Sequence, residues 1–531
     1  MKNVETSRRS KNRKLPLSML YRVRGIDMDR LQCIIICDFL IFAKQATLKL
    51  SQMYPRNRWV LLLLLCLSQI AIVSFFSSGF ISKKLHSLDS DDGGNLSNFL
   101  NGCSKKSLLK KTLEKGTVSK MVIMVIDAWQ ERFFSRRKVM QFLHQLTSNG
   151  QAVAFTARLQ IPTVTMPRIK AITAGVVPSF ADIVNNFASS SISIDNIIDR
   201  LNDKGYRCTF CGDDTWLRLF PNRFDNHSAG VMSFYVNDFR EVDDSVTLCM
   251  RARFATTSIK TWDLMILHYL GFDHIGHYLG GTHNEINNKL IEMDSIIKEL
   301  YEKLHEIYST NFSLIILGDH GMTESGNHGG PSELETLVPI VYVDGRKRTT
   351  NRNVLGAASV EQIDIVPTLA TLFNVPIPKE NLGVTLFPYI AFDHSNLSML
   401  ISVLQNIEQF RKLGVSSSKL NQCINRFYDN LQKYCSTNAS QNIGGLIWDC
   451  VGELRKVQSK FLHVRTDINS VRLIVAIGLS TIVYFRNRPL STYLTIFTQL
   501  LHPVAFFASS LIEEEHDIQQ VFSTLLSTVI S

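Results

Sequence analysis

Apolar residues in this chain gather into three kinds of run, and each kind predicts a different element. Short unbroken runs occur at Met121-Val-Ile-Met-Val-Ile126, within Asp263-Leu-Met-Ile-Leu-His268, and at Ser313-Leu-Ile-Ile-Leu-Gly318. Runs of this length suit strands buried on both faces of a parallel sheet. Elsewhere the spacing turns helical. Ile286 to Leu304 sets Leu290, Met293, Ile296, Ile297 and Leu300 on one face, and Ile363 to Phe373 behaves likewise. The two patterns alternate from about 117 to about 390, which predicts an α/β domain with a mainly parallel sheet flanked by helices. The third kind is long: Trp59 to Phe80 carries no charge and suffices for one bilayer crossing of about 20 residues.

Charge sets the expected orientation. Basic residues crowd the segment from Arg8 to Arg58, so the positive-inside rule places that arm in the cytoplasm and the rest in a lumen. Val471 to Phe485 and Leu490 to Ile512 are weaker candidate spans, the second interrupted at His502-Pro503. The expected organisation is a basic cytoplasmic arm (1–58), a transmembrane anchor (59–80), a linker (81–116), a lumenal catalytic domain (117–395), a helical extension (396–465) and a partial C-terminal membrane region (466–531). The net charge of +10 sits largely in the arm, where topology accounts for it. No RNA- or DNA-binding motif accompanies it, so nucleic acid is not an expected partner. Ten cysteines in 531 residues do not make a disulfide scaffold, but those beyond the anchor would meet an oxidising lumen and some pairing is expected. Cys208-Thr-Phe-Cys211 lacks thioredoxin-like surroundings and reads as a structural pair or two packed thiols. Sequons at Asn95, Asn226, Asn311, Asn396 and Asn438 all follow the anchor, as a lumenal domain requires.

The strand-like runs end in metal-binding residue types. Asp127 follows the first, Asp273-His-Ile-Gly-His277 follows the second, and Asp319-His320 follows the third, with His328 a short loop beyond. Sites in parallel sheets lie outside the carboxyl ends of the strands. Asp127, Asp319 and His320 are expected around one metal, and Asp273, His277 and His328 around another. Asp273 and His277 are spaced i, i+4, which one helical turn puts on one face. His328 sits in Gly326-Asn-His-Gly-Gly330, a loop able to bend back to the sheet edge. Any one of these residues alone reads more simply as a satisfied polar group; the joint pattern argues for two divalent ions, Zn²⁺ or Mn²⁺, since no Cys is among the ligands. The nucleophile is sought in Ile161-Pro-Thr-Val-Thr-Met-Pro-Arg-Ile-Lys170. Pro167 fits the first turn of a helix, which puts Thr165 near the N-cap, where free amides favour a phosphate. A metal-activated Thr hydroxyl is a competent nucleophile toward phosphorus. Thr163 is the fallback.

The order Asp127, Thr165, Asp273/His277, Asp319/His320, His328 resembles the alkaline phosphatase superfamily. Pro162-Thr-Val-Thr-Met-Pro-Arg-Ile-Lys-Ala171, Gly212-Asp-Asp-Thr-Trp216 with Leu219-Phe-Pro221, His268-Tyr-Leu-Gly-Phe-Asp-His-Ile-Gly-His277 and Gly318-Asp-His-Gly-Met322 resemble, more narrowly, the GPI ethanolamine phosphate transferases. Gln362-Ile-Asp-Ile-Val-Pro-Thr368 and Val375-Pro-Ile-Pro-Lys-Glu-Asn-Leu-Gly383 extend the match. The Thr-Met-Pro-Arg form is most similar to members acting on the second mannose. The chain departs from the family at Asp127-Ala-Trp-Gln-Glu-Arg132, where an Ala-Leu-Arg type is usual, and it has room for fewer C-terminal spans.

The resemblance implies an enzyme of the endoplasmic reticulum membrane whose catalytic domain is lumenal. Phosphatidylethanolamine is the implied donor, a GPI glycolipid the acceptor, and Thr165 the carrier of the transferred group. It also implies a small membrane-embedded stabilising subunit. Asp213, Asp214 and Trp216 are candidate substrate-pocket residues, with a structural turn after a strand as the plain alternative. Two rival readings remain: a metal-dependent phosphodiesterase of the same fold, and a non-catalytic subunit that binds GPI intermediates.

Overall fold

The computed structural model describes residues 119–466, apart from 136–137, 179–190, 226–227, 232–237, 256–261, 347–358, 391–395, 416 and 438–442. The expected arm, anchor, linker and C-terminal spans lie outside the described residues. Among the described residues, no helix is long and apolar enough to cross a membrane.

The apolar runs become strands of one sheet: β1 (Met121–Ile126), β2 (Ala152–Arg158), β3 (Cys208–Asp213), β4 (Ala229–Val231), β5 (Leu264–Tyr269), β6 (Ser313–Gly318), β7 (Leu337–Asp344) and β8 (Ser359–Glu361). Their order is β4-β3-β5-β1-β6-β7-β2-β8. Pairing is parallel throughout except where β7 meets β6 and β2. The sheet is thus mainly parallel, as expected, with one strand reversed. Between β6 and β7 lies no helix longer than the single turn Glu333–Thr336. The connection, residues 319–336, is long enough for a crossover but carries no helix long enough to lie across a sheet face, and β7 returns antiparallel beside β6.

Both faces of the sheet are covered, which explains why β1 and β6 show no polar alternation. Met121, Ile123 and Val125 pack into one core, and Val122, Met124 and Ile126 into the other. The longer helices are α1 (Thr165–Ala174), α2 (Glu241–Ala255), α3 (Gly271–Leu279), α4 (Glu285–Tyr308), α5 (Ile365–Phe373), α6 (Asn396–Lys412), α7 (Ser418–Thr437) and α8 (Ile443–Thr466). α4 buries Ile286, Leu290, Met293, Ile297, Leu300 and Leu304 against the second face, the stripe its spacing predicts. α5 covers the first face with Val366, Leu369 and Phe373. Helices α6 to α8 share a third core, which takes in Ala171 of α1, Ile363 and Leu382.

Cys208 and Cys211 do not pair with each other. They are three residues apart on one strand, so their side chains leave opposite faces, and they fall in different cores. Cys211 is bonded instead to Cys249 of α2, and Cys423 to Cys450, joining α7 to α8. Cys208 is buried as a free thiol, and burial pushes its pKa up to about 12.

Candidate metal centre and nucleophile

Strand register assembles the first group. Ile126 of β1 pairs with Tyr269 of β5 and with Gly318 of β6. One step beyond, Asp127 and Asp319 therefore emerge side by side from neighbouring strands. The Ala128 N–H donates to Asp319 Oδ1 at 3.0 Å. From behind, Gln362 Nε2 donates to the carbonyls of Gly318 at 2.9 Å and Asp319 at 2.6 Å, clamping that strand end. His320 Nε2 lies 3.3 Å from Asp127 Oδ1 and 3.4 Å from Asp319 Oδ2. Thr165 opens α1, with Oγ1 at 3.4 Å from Asp127 Oδ2 and 3.3 Å from His320 Nε2.

The second group rests on α3. Its helical turn sets His277 Nε2 at 3.3 Å from Asp273 Oδ2. The glycine-rich loop returns His328, whose Nε2 stands 3.1 Å from His277 Nε2 and 3.6 Å from Asp273 Oδ1. His320 and His328 stack with centroids 4.0 Å apart, so the two groups adjoin. The closest sets of ligand atoms cut across the expected allotment: Asp273, His320 and His328 lie within 4.8 Å of one another, as do Asp127, His268 and Asp319. His320 therefore stands between the groups. His268, one register step back on β5, is a residue to which the sequence pattern attached no role.

The donor atoms suit cations. His320 Nδ1 faces the Gly321 carbonyl at 3.1 Å, and His328 Nδ1 faces the Thr163 carbonyl at 3.0 Å. A carbonyl only accepts, so each Nδ1 carries the hydrogen and each Nε2 offers a lone pair to the site. No hydrogen-bond donor reaches Asp273 Oδ1 or Asp319 Oδ2, both buried. Such oxygens are costly in a protein interior unless a cation meets them. Carboxylate and imidazole without thiolate fits Zn²⁺ or Mn²⁺. Burial alone would raise the Asp273 pKa, but the adjacent His277 holds it well below the usual carboxylate range. Burial, reinforced by His320 and His277, drives His328 well below the ordinary imidazole value, the neutral form a metal ligand needs.

The two threonines differ in what they touch. The Thr163 hydroxyl donates to the Gly330 carbonyl at 3.0 Å and accepts from the Gly329 N–H at 2.9 Å. It holds the glycine loop. Thr165 faces the carboxylate and the imidazole. The three candidate pocket residues are engaged in local contacts. Asp213 is buried and accepts from the Thr215 N–H at 2.9 Å. Asp214 pairs with Arg218 at 3.1 Å. Trp216 is buried among Phe210, Phe220 and His268. Arg168, three residues into α1 from Thr165, has no exposed surface; burial lowers its pKa to about 9, opposed by the charges of Asp319 and Glu361. Nothing in its sequence neighbourhood distinguishes it from a solvated helix Arg.

Comparison with known proteins follows the same residues. Residues 121–357 match the type I phosphodiesterase / nucleotide pyrophosphatase family. The chain is 35% identical over 433 residues to GPI ethanolamine phosphate transferase 2 of Kluyveromyces lactis, covering 76% of this chain and 52% of that protein. It is 32% identical over 455 residues to the Schizosaccharomyces pombe protein of the same name, covering 80% and 58%. Against the human GPI ethanolamine phosphate transferase 2, catalytic subunit, it is 36% identical over 320 residues, covering 57% and 32%. The chain spans about half the length of the fungal relatives it matches.

Proposed function

The chain belongs with the GPI ethanolamine phosphate transferases, and from that premise we propose that it transfers phosphoethanolamine from phosphatidylethanolamine to a mannose, the second, of a GPI precursor. The observation that carries this reading is the place of Thr165. Its hydroxyl stands within 3.4 Å of both Asp127 and His320, at the N-terminus of a helix and beside two adjoining groups of buried carboxylates and imidazoles. A helix N-terminus favours the anionic phosphodiester.

In this reading Asp127, Thr165, Asp319 and His320 hold one divalent cation, and Asp273, His277 and His328 another. When bound, such ions supply charge stabilisation for phosphoryl transfer. Thr165 Oγ forms a bond to phosphorus as the bond from phosphorus to the diacylglycerol oxygen breaks. The hydroxyl proton ends on diacylglycerol, and phosphoethanolamine remains on Thr165. The mannose 6-hydroxyl then takes phosphorus from Thr165, and its proton returns to the Thr hydroxyl. Thr163, Gly329 and Gly330 keep His328 in place, and Gln362 does the same for Asp319. Asp213, which ends β3, and Asp214 after it are the candidate substrate contacts, while Trp216 packs against His268. The setting is the endoplasmic reticulum membrane with this domain in the lumen, where the bonds Cys211–Cys249 and Cys423–Cys450 persist. A small membrane-embedded subunit is the expected stabilising partner. The test is a trapping experiment: membranes bearing the chain receive phosphatidylethanolamine labelled in its headgroup, without acceptor. Label covalently held at Thr165 supports the reading, and free ethanolamine phosphate released without transfer to glycan favours a phosphodiesterase.

A further inference from the structure

His268 is completely buried at the end of β5, with Nε2 3.3 Å from Asp127 Oδ2, a charge contact outside hydrogen-bond geometry. Its proximity to Asp127 and Asp319 makes it look like a third ligand of the first group. The other ring nitrogen argues otherwise. Trp216 Nε1 lies 3.1 Å from His268 Nδ1. An indole nitrogen can only donate, so Nδ1 must be the bare acceptor and Nε2 must carry the hydrogen. This is the reverse of His320 and His328, whose Nδ1 atoms donate to carbonyls and whose Nε2 atoms are bare. A protonated Nε2 has no lone pair for a metal.

We propose that His268 is a positioning residue, locked by the Trp216 indole as the Nε2–H tautomer, whose Nε2–H edge lies 3.3 Å from Asp127 Oδ2 and attracts that carboxylate, holding it toward His320 and Thr165. It neither binds the metal nor touches substrate. The proposal rests on the reading of Asp127 as a metal ligand, and it gives Trp216 a role behind the site. Outer contacts of this kind change metal affinity or turnover by about 10–100-fold when removed.

The test compares His268→Ala, His268→Gln, Trp216→Phe and Asp127→Ala in the full-length protein. The readouts are zinc bound per chain at fixed free zinc, the visible spectrum after cobalt substitution, and kcat and KM. A Gln side chain keeps an N–H donor near the Nε2 position. His268→Gln should therefore bind zinc like wild type, leave the cobalt spectrum unchanged, and lose no more than about tenfold in kcat. His268→Ala should weaken zinc binding about 10–100-fold, with Trp216→Phe shifting it in the same direction. Loss of one zinc, or an altered cobalt spectrum, in His268→Gln would overturn the proposal in favour of direct ligation. Wild-type zinc binding and kcat in both His268→Ala and Trp216→Phe would reduce His268 to a packing residue. If Asp127→Ala keeps all its zinc, the metal reading fails and the His268 proposal with it. If Asp127→Ala loses zinc and neither His268 variant nor Trp216→Phe changes any readout, the His268 proposal alone fails.

Discussion

At the scale of single residues, groups that look alike in sequence differ in what their polar atoms touch. Thr163 and Thr165 are two positions apart, and only Thr165 leaves its hydroxyl facing the carboxylates and imidazoles. Thr165→Ala is expected to lower turnover by roughly a thousandfold or more while metal binding stays largely intact, the carboxylate and imidazole ligands remaining. Asp319→Ala should lose both, since its Oδ2 has no other donor and its Oδ1 holds the Ala128 amide. Elemental analysis beside the activity assay distinguishes the two outcomes. Glu361 makes a separate prediction about pH. Burial first, then the charge of Asp364, raises its pKa from 4.5 to about 7. The folded chain then holds a proton that the unfolded chain has released, so the stabilisation is complete below about pH 4.5 and is lost as pH rises through about 7. Glu361→Gln should flatten that decline, worth on the order of 1–2 kcal/mol for a partly exposed group, as read from melting temperatures between those limits. Most of the carboxylates and imidazoles that gather here could be picked out in sequence because Asp127 and Asp319-His320 directly follow apolar runs, with Asp273 and His277 a few residues after a third. His268 could not: a histidine inside a strand pattern is indistinguishable from a packed core residue until its register against Val125 is known.

At the scale of elements, continuous apolar runs were enough to find β1, β5 and β6, and the helical period found α4 and α5 nearly to their ends. The reversal of β7 was not readable. Leu337-Val-Pro-Ile-Val-Tyr-Val-Asp344 is buried almost throughout, and a strand covered on both faces has the same pattern in either direction. The long loop before β7 is where the site is completed. Gly326 has φ +92°, and a Cβ there would meet the Gly276 carbonyl oxygen at 1.8 Å. Gly326→Ala must therefore push the loop away from α3, and with it His328. The expected result is a loss of roughly 2 kcal/mol or more in stability from strain and displacement, together with weaker zinc binding. Denaturant titration of the zinc-free form, beside zinc affinity, checks both parts; unchanged values in both would show that this close approach does not matter.

At the scale of the whole molecule, the helical extension and the site are physically joined. Arg455 of α8 forms an ion pair with buried Asp364. Gln458 Nε2 also donates to Asp364, at 2.7 Å, and the Val384 N–H does so at 2.6 Å. Asp364 closes the turn that carries Gln362, the residue clamping Gly318 and Asp319. Breaking a buried ion pair from one side costs about 3–5 kcal/mol. Arg455→Ala is therefore expected to destabilise the protein by about 3 kcal/mol and to weaken zinc binding, although Arg455 lies outside the α/β layers. Wild-type zinc affinity in a measurably destabilised Arg455→Ala would confine the pair to a stabilising role. None of this coupling was visible in sequence, where α8 reads only as a helix of mixed charge. The central claim remains the transfer itself. Its most direct test is mass spectrometry of GPI intermediates in microsomes from cells lacking their own second-mannose transferase, expressing either this chain or its Thr165→Ala form. The account predicts phosphoethanolamine on the second mannose with the wild-type chain and none with Thr165→Ala. Equal modification by both, or no modification by a wild-type chain that is present, glycosylated and zinc-loaded, would contradict it.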